Sequence, residues 1–372
     1  MPERIKNIVQ IMEEIAPPYL AEDWDNVGFQ IGDINQSVDK AMVCLEVTDA
    51  VIDEAIAEGV GLIISHHPLI FRPLRNIRMQ DPTGKMICRL IQHQIGLYCA
   101  HTNLDSVLGG VNDVLAEILG IEDALPLKHT KFEKYFKLVV FVPHSHVEEV
   151  RDAMCRAGGG HIGNYSHCTF QTEGTGTFKP LEGTNPFIGK QGVLERTPEV
   201  RIEILVPKEK LNAVVQEMIQ AHPYEEVAYD VIPLENGIHR HGLGRVGNLK
   251  NPLSLLQLCQ KLKEELGIAS IKFVGDPDKP VQKIAWCGGS GGEFIQEALR
   301  CGCDCYITGD VKYHDAQYAL HAGIGLIDAG HLETEQIVCA DLARRLETAV
   351  KEYRYDLQIF LSKANINPFQ VL

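Results

Sequence analysis

The chain has 372 residues, 45% of them hydrophobic and 23% charged, and its 35 Lys and Arg against 50 Asp and Glu leave a formal charge of −15. That length predicts two domains, or one domain with a large insertion, of an ordinary globular composition. The charge argues against non-specific binding to nucleic-acid backbones, and apolar runs fall well short of a membrane span. No signal-peptide core opens the chain, and eleven scattered Cys without a C-x-x-C pair point to a reduced, cytoplasmic setting.

In chain order, Ile5, Ile8, Val9, Met12 and Ile15 recur at helical spacing over residues 4–16, and Pro17-Pro18 ends that helix. Residues 22–32, around Trp24-Asp25-Asn26-Val27-Gly28, read as a loop anchored by aromatic residues. It is either a structural turn or a pocket wall. A strand over 41–47, an N-cap at Thr48-Asp49 and a helix over 50–58 ending at Gly59 lead into a strand over 61–65. This order implies a parallel pair with a right-handed crossover.

Ser65-His66-His67-Pro68-Leu69-Ile70-Phe71 follows. Neighbouring side chains on a strand point to opposite faces, so adjacent histidines rarely both serve a core. At a strand's C-terminal end both rings can face the crevice where open α/β sheets bind ligands. Loop or cap histidines are the plain alternative. A turn at Asp81-Pro82-Thr83-Gly84, a helix over 84–94 and a strand over 96–100 then deliver His101-Thr102-Asn103-Leu104-Asp105. Gly109-Gly110 opens a helix that runs to Leu119 and stops at Gly120.

Near residue 130 the character changes. Strands over 137–142, 201–206 and 227–232 and helices over 145–157 and 209–220 surround a Gly- and Thr-rich stretch. The region repeats at an offset of 64, with Val142-Pro143 matching Val206-Pro207 and Met154 matching Met218. Two such β-α-β units make a ferredoxin-like sandwich. The reading is a host domain split into residues 1–129 and 241–372, with residues 130–240 inserted; a linear two-domain chain is the alternative, and the insertion is preferred because residues beyond 280 supply a further ligand pair. His161, His167 and His222 are scattered through the insert in a context that usually carries no ligand role.

The last segment resembles the first at an offset of 243, matching His66-His67 with Gly309-Asp310 and placing these and His314 at the same crevice. Gly288-Gly289-Ser290-Gly291-Gly292 is a phosphate cradle or a tight turn. Cys301, Cys303 and Cys305 would share one face of a strand as buried small side chains, three thiolates on zinc being the alternative. A strand over 325–329 leads to Gly330-His331-Leu332-Glu333-Thr334-Glu335, where a helix would put His331 and Glu335 on one face. The collected set is His66, His67, His101, Asp105, His331 and Glu335. Mixed imidazole and carboxylate ligands suit zinc, iron, manganese or nickel rather than calcium. Two ions bridged by a carboxylate, best supplied by Glu335, would use them all for metal-assisted hydrolysis; His101 would be a ligand or one shell out, and either it or a carboxylate such as Glu335 could move the proton. Arg72, Arg75, Arg78 and Lys312 are the nearby basic residues that could meet phosphate.

These motifs, in this order, resemble the dinuclear-metal-centre family named GTP cyclohydrolase 1 type 2 homologues, also called NGG-one-interacting-factor-three-like proteins. The middle resembles that family's long bacterial form, whose insert is similar to the PII and CutA proteins. The resemblance implies two divalent ions, zinc foremost, held by His66, His67, Asp105, His331 and Glu335 with His101 beside them. It implies a toroidal homohexamer, a trimer of dimers whose sites face an internal cavity, and a small-molecule substrate. The family name refers to hydrolytic opening of the guanine ring of GTP with release of formate. A dinuclear hydrolase of phosphate esters and a non-catalytic metal-binding or regulatory hexamer are the competing readings.

Overall fold

A computed structural model describes residues 2–129, 133–238, 241–364 and 367–369. The chain forms two compact units, one made of Met1–Lys131 together with Arg240–Leu372 and the other of Phe132–His239. Among the described residues no helix is long and apolar enough to cross a membrane.

The discontinuous unit holds two large sheets, besides a two-stranded pair of Glu3–Arg4 with Ser37–Val38. In the first, Gln358–Leu361, Lys40–Cys44, Leu62–Ser65 and Gly96–Cys99 run parallel in that order, and Gly28–Ile31 adds an antiparallel edge. Strand residues alternate between two cores. Ala41, Val43, Leu62 and Ile64 pack with helices Ile5–Ile15 and Ile337–Glu352, while Met42, Cys44 and Ile63 pack with helices Asp49–Glu58 and Pro82–Gln92. Both faces are thus covered, as parallel strands require. The Thr48 hydroxyl accepts from Val51 N–H, and Gly59 closes the same helix at φ 69°. These local signals fix where the crossover helix ends and how the Leu62–Ser65 strand begins.

The second sheet orders Lys272–Val274, Gly325–Asp328, Cys305–Gly309, Pro280–Ser290, Leu243–Ser254 and Leu125–Lys128, with the three strands beginning at Pro280, Cys305 and Gly325 parallel. Its fully buried Trp286 donates to Asn112 O at 2.8 Å. The expectation that Cys301, Cys303 and Cys305 share a strand face does not hold. Cys301 caps the helix Ile295–Arg300 and the strand begins only at Cys305, because the helix does not end until Cys301 and Gly302 turns the chain at φ 69°. All three are free thiols, and burial pushes Cys303 up to about 12.

The Phe132–His239 unit runs β-α-β-β-α-β. Its sheet orders Tyr229–Ile238, Glu133–Pro143, Glu195–Pro207 and Thr169–Phe178, all neighbours antiparallel. Leu138, Val140, Val142, Val200, Ile202, Ile204 and Val206 pack on Val147, Val150, Met154, Val214 and Met218 of the two helices. The strands outrun the 137–142 and 201–206 readings because pairing continues through residues that the helices do not bury. Thr169–Phe178 showed no apolar period because it is an edge strand and mostly exposed.

Buried Arg245 ties the two segments of the first unit together. Its guanidinium donates to Asp113 at 2.8 and 2.7 Å and to the carbonyls of Val107, Gly242 and Gly244, beside the Asp105 carbonyl that Asn112 holds at 3.1 Å. Arg245→Ala strands the Asp113 carboxylate and is expected to cost about 3–5 kcal/mol. The double change Arg245→Met with Asp113→Leu should recover much of this, read by chemical denaturation of the full chain.

Candidate metal centre

Four strand ends supply the cluster. His66 and His67 follow Leu62–Ser65, and His101 follows Gly96–Cys99, with Asp105 one helical turn later in Thr102–Ser106. Asp310 follows Cys305–Gly309. Gly325–Asp328 leads to the helix His331–Glu335, whose four-residue spacing brings His331 Nε2 to 3.0 Å from Glu335 Oε2.

Glu335 is 3% exposed and stands at the centre. Its Oε2 lies 2.8 Å from His67 Nε2, and His67 Nε2 lies 3.4 Å from His331 Nε2. Its Oε1 lies 3.8 Å from His66 Nε2, which in turn lies 3.6 Å from Asp105 Oδ1. One donor atom each from His66, His67 and Glu335 lies within 4.8 Å of the others, a group that could hold a metal ion. The structure therefore brings His66, His67, Asp105, His331 and Glu335 together, from both segments of the unit. His101 stands alongside, its ring centroid 5.4 Å from that of His66 and 5.8 Å from that of His67.

The histidines are aimed by their other ring nitrogen. His66 Nδ1 donates to Ala100 O at 2.8 Å, His331 Nδ1 to Asp310 at 2.7 Å and His101 Nδ1 to Asp25 at 2.9 Å. A carbonyl or carboxylate accepts only, so each Nδ1 bears the proton and each neutral ring keeps its Nε2 lone pair free, the arrangement of metal-ligating histidines. His66 Nε2 and Asp105 Oδ1 are buried without a hydrogen-bond partner. Orphaned polar atoms of that kind are costly, and a cation between them would satisfy both, so the residues present fit divalent ions.

Burial opposes the charged form of His66, but the Asp105 and Glu335 carboxylates overcome it and lift the imidazole to about 9. The hydrogen bond to Glu335 leads the rise of His331 to about 9. Burial pushes the Asp105 carboxyl up. Glu335 goes down despite its burial, because His331 and His67 bond it and the charge of His66 favours its ionised form. Asp25 is likewise desolvated, yet bonds from His101 and Thr102 hold it down to about 2.

Asp25 and Asp310 are partners that residue type alone did not assign. Asp25 lay inside the anchored loop, where Trp24 meets Phe71 at 5.8 Å and His101 at 6.2 Å between centroids. Asp310 was placed at the crevice only by the offset-243 match. His314 is exposed next to Tyr313, and no described contact joins it to the cluster. The Gly288–Gly292 stretch is no phosphate cradle. The N–H groups of Gly288, Gly289 and Gly291 already donate to Asn112, Thr334 and Thr308. The bend instead lets backbone approach the cluster: a Cβ on Gly289, at φ +65°, would fall 1.9 Å from Glu335 Oε1. In the insert His222 uses both ring nitrogens, on Phe141 O and Tyr224 N–H, and is not gathered with another histidine into a ligand group among the described residues.

Fold and site together define an α/β protein with a histidine–carboxylate cluster built across a split unit. The chain belongs to the Duf34/NIF3 (NGG1p interacting factor 3) family, whose model matches residues 3–368. It is 44% identical over 364 residues to a Halalkalibacterium halodurans protein named GTP cyclohydrolase 1 type 2 homolog, covering 98% of each chain. It is 44% identical over 367 residues to a Bacillus subtilis protein of the same name, covering 99% of this chain and 98% of that one. The crystal structure of a Bacillus cereus protein related to NIF3 matches with a TM-score of 0.93 and 42% identity over 100% of both chains.

Because His66 and His331 are both lifted to about 9, a cation captured on their Nε2 atoms would have to displace protons. Zinc affinity is expected to climb from pH 6.5 toward 9, with proton release. Calorimetry in buffers of different ionisation enthalpy measures this, and a pH-independent affinity without proton release would contradict it.

Proposed function

We propose that the chain is a divalent-metal-dependent hydrolase that holds two ions through His66, His67, Asp105, His331 and Glu335 and opens the purine ring of a nucleotide such as GTP. The placement of Glu335 carries this reading, since Oε2 faces His67 and His331 while Oε1 faces His66 beside Asp105. The donor set suits zinc, with iron, manganese or nickel as alternatives. When bound, such ions supply Lewis acidity that brings the pKa of water to about 7.

The chain's own residues do the remaining work. His101, tied at Nδ1 to Asp25, keeps Nε2 to take a proton from the attacking water and return it to the leaving nitrogen. Asp25 stays ionised and steadies the imidazolium that forms. Trp24 and Phe71, both exposed, offer ring faces to a base, and such stacking contributes about 1–3 kcal/mol. Arg72 and Arg75 follow Phe71 in an exposed run and can meet a phosphate chain. Arg78 is taken up locally by Asn76 and Asp81.

Purified protein loaded with each metal and given GTP should release formate, scored separately from phosphate. His101→Gln should lower formate release about 10²–10⁴-fold at unchanged metal content, and Glu335→Ala should no longer retain two ions per chain. Phosphate without formate would move the activity to phosphate esters. Neither product, with metal retained, would leave a non-catalytic metal-binding role.

The same reading takes residues 130–240 as an inserted PII/CutA-like domain and the protein as a cytoplasmic homohexamer, a trimer of dimers, in keeping with the closed symmetry usual for homo-oligomers. Light scattering should report close to six times 41.3 kDa. A monomer or dimer that keeps its metals would overturn the assembly.

A further inference from the structure

The Phe132–His239 unit contains a cavity of about 570 Å³, within the usual range for small-molecule sites. It lies on the sheet face opposite the two helices. Along Glu195–Pro207, Val200, Ile202, Ile204 and Val206 pack with the helices, so Thr197, Glu199 and Arg201 point the other way. The segments around Phe187 and Tyr224 form the remaining walls, clasped together where Asn185 N–H donates to the Glu225 carboxylate at 3.1 Å.

Glu199 sits in this cavity with 8% of its surface exposed. The Tyr224 hydroxyl donates to its Oε1 at 2.9 Å, and burial with the Glu199 charge raises the phenol, keeping it a donor. Among the described residues no Lys or Arg pairs with Glu199, and its neighbour Arg201 is engaged by Glu203 at 3.0 Å. The Oε2 atom lies over bare backbone, where a Cβ on Gly176 would come within 2.0 Å of it. A buried carboxylate answered only by a neutral hydroxyl is costly.

Four aromatic residues, Phe141, Phe178, Phe187 and Tyr224, are among those that line the cavity. The Tyr224 ring lies 5.9 Å from Phe178 and 6.3 Å from Phe187 between centroids, and such faces attract cations. A bare metal ion would need further carboxylate or imidazole ligands, and the described residues gather such a group only at the His66, His67 and Glu335 cluster. We propose that this cavity binds a small organic cation, an amine or guanidinium on an apolar or aromatic body. The charged nitrogen meets Glu199 Oε2 and the body lies among Phe178, Phe187 and Tyr224.

Calorimetry on the full chain with 2-phenylethylamine, 2-phenylethanol and phenylacetate tests this. The amine should bind saturably and tightest, the alcohol weakly and the anion not at all. Glu199→Gln should weaken the amine by about tenfold or more and leave the alcohol unchanged, at an unaltered Tm. Phe187, half exposed, can be cut to Ala without threatening the fold, and that change should weaken the amine as well. Non-saturable amine binding, equal affinity for the three probes, or undiminished affinity in a folded Glu199→Gln protein would overturn the proposal. Should Glu199→Gln fail to fold, undiminished amine affinity in the Phe187→Ala protein would overturn it.

Discussion

The buried carboxylate of Glu335 is the constraint on which the first unit depends. A carboxylate so deeply placed needs compensation, and it receives it from three imidazoles, His66, His67 and His331. Two of these lie in the first segment of the chain and the third shares a helix with Glu335 at the far end of the sequence. The polar centre therefore demands that the sheet containing Leu62–Ser65 and the sheet containing Gly325–Asp328 present their strand ends to one another. Arg245 and Asp113 serve the same end from the flank, joining the helix after Asp105 to the strand that resumes after the intervening unit.

That centre is incomplete as a hydrogen-bond network. His67 and His331 turn Nε2 toward each other at 3.4 Å, and His66 Nε2 and Asp105 Oδ1 find no partner. Protons relieve part of this, which is the physical meaning of imidazoles lifted to about 9. The surrounding tethers prevent the rings from turning away. Ala100 O, Asp310 and Asp25 each hold one Nδ1, so the cluster cannot relax by repacking and stays poised for cations. A site held this way gives up stability for readiness, the usual trade at binding centres.

Much of this was legible in the sequence, for identifiable reasons. Short apolar runs followed by His66-His67, His101 and His331 mark strand ends, and four-residue spacing places His331 with Glu335. The boundaries of Asp49–Glu58 came from Thr48 and Gly59, whose cap chemistry is local. Partners set by tertiary approach were not legible. Nothing in Trp24-Asp25-Asn26 says that Asp25 will meet His101, 76 positions on. The glycines at 288–292 advertised a phosphate loop because backbone freedom reads the same whether a ligand or a neighbouring side chain needs the space. Here the neighbour is Glu335. Arg245 looked like any charged residue, since its burial follows only from Asp113 lying across the insertion.

The intervening unit follows the opposite logic from its host. Its core is made entirely on the helix side, where aliphatic side chains alternate with regularity, and nothing polar is needed to define it. A four-stranded sheet with one covered face can leave the other to water at no cost. This one instead covers Glu199 with aromatic rings and a loop, surrendering the hydration of a carboxylate that no described Lys or Arg neutralises. In the host, three imidazoles answer the buried charge of Glu335. In the intervening unit the Tyr224 phenol answers that of Glu199, and Phe141, Phe178 and Phe187 are among the residues that line the remaining space. The imbalance is one of charge as well as of hydrogen bonds, and more packing from within the unit would not remove it. A positive group does, and the volume of about 570 Å³ beside Glu199 is that of an organic molecule rather than of an ion.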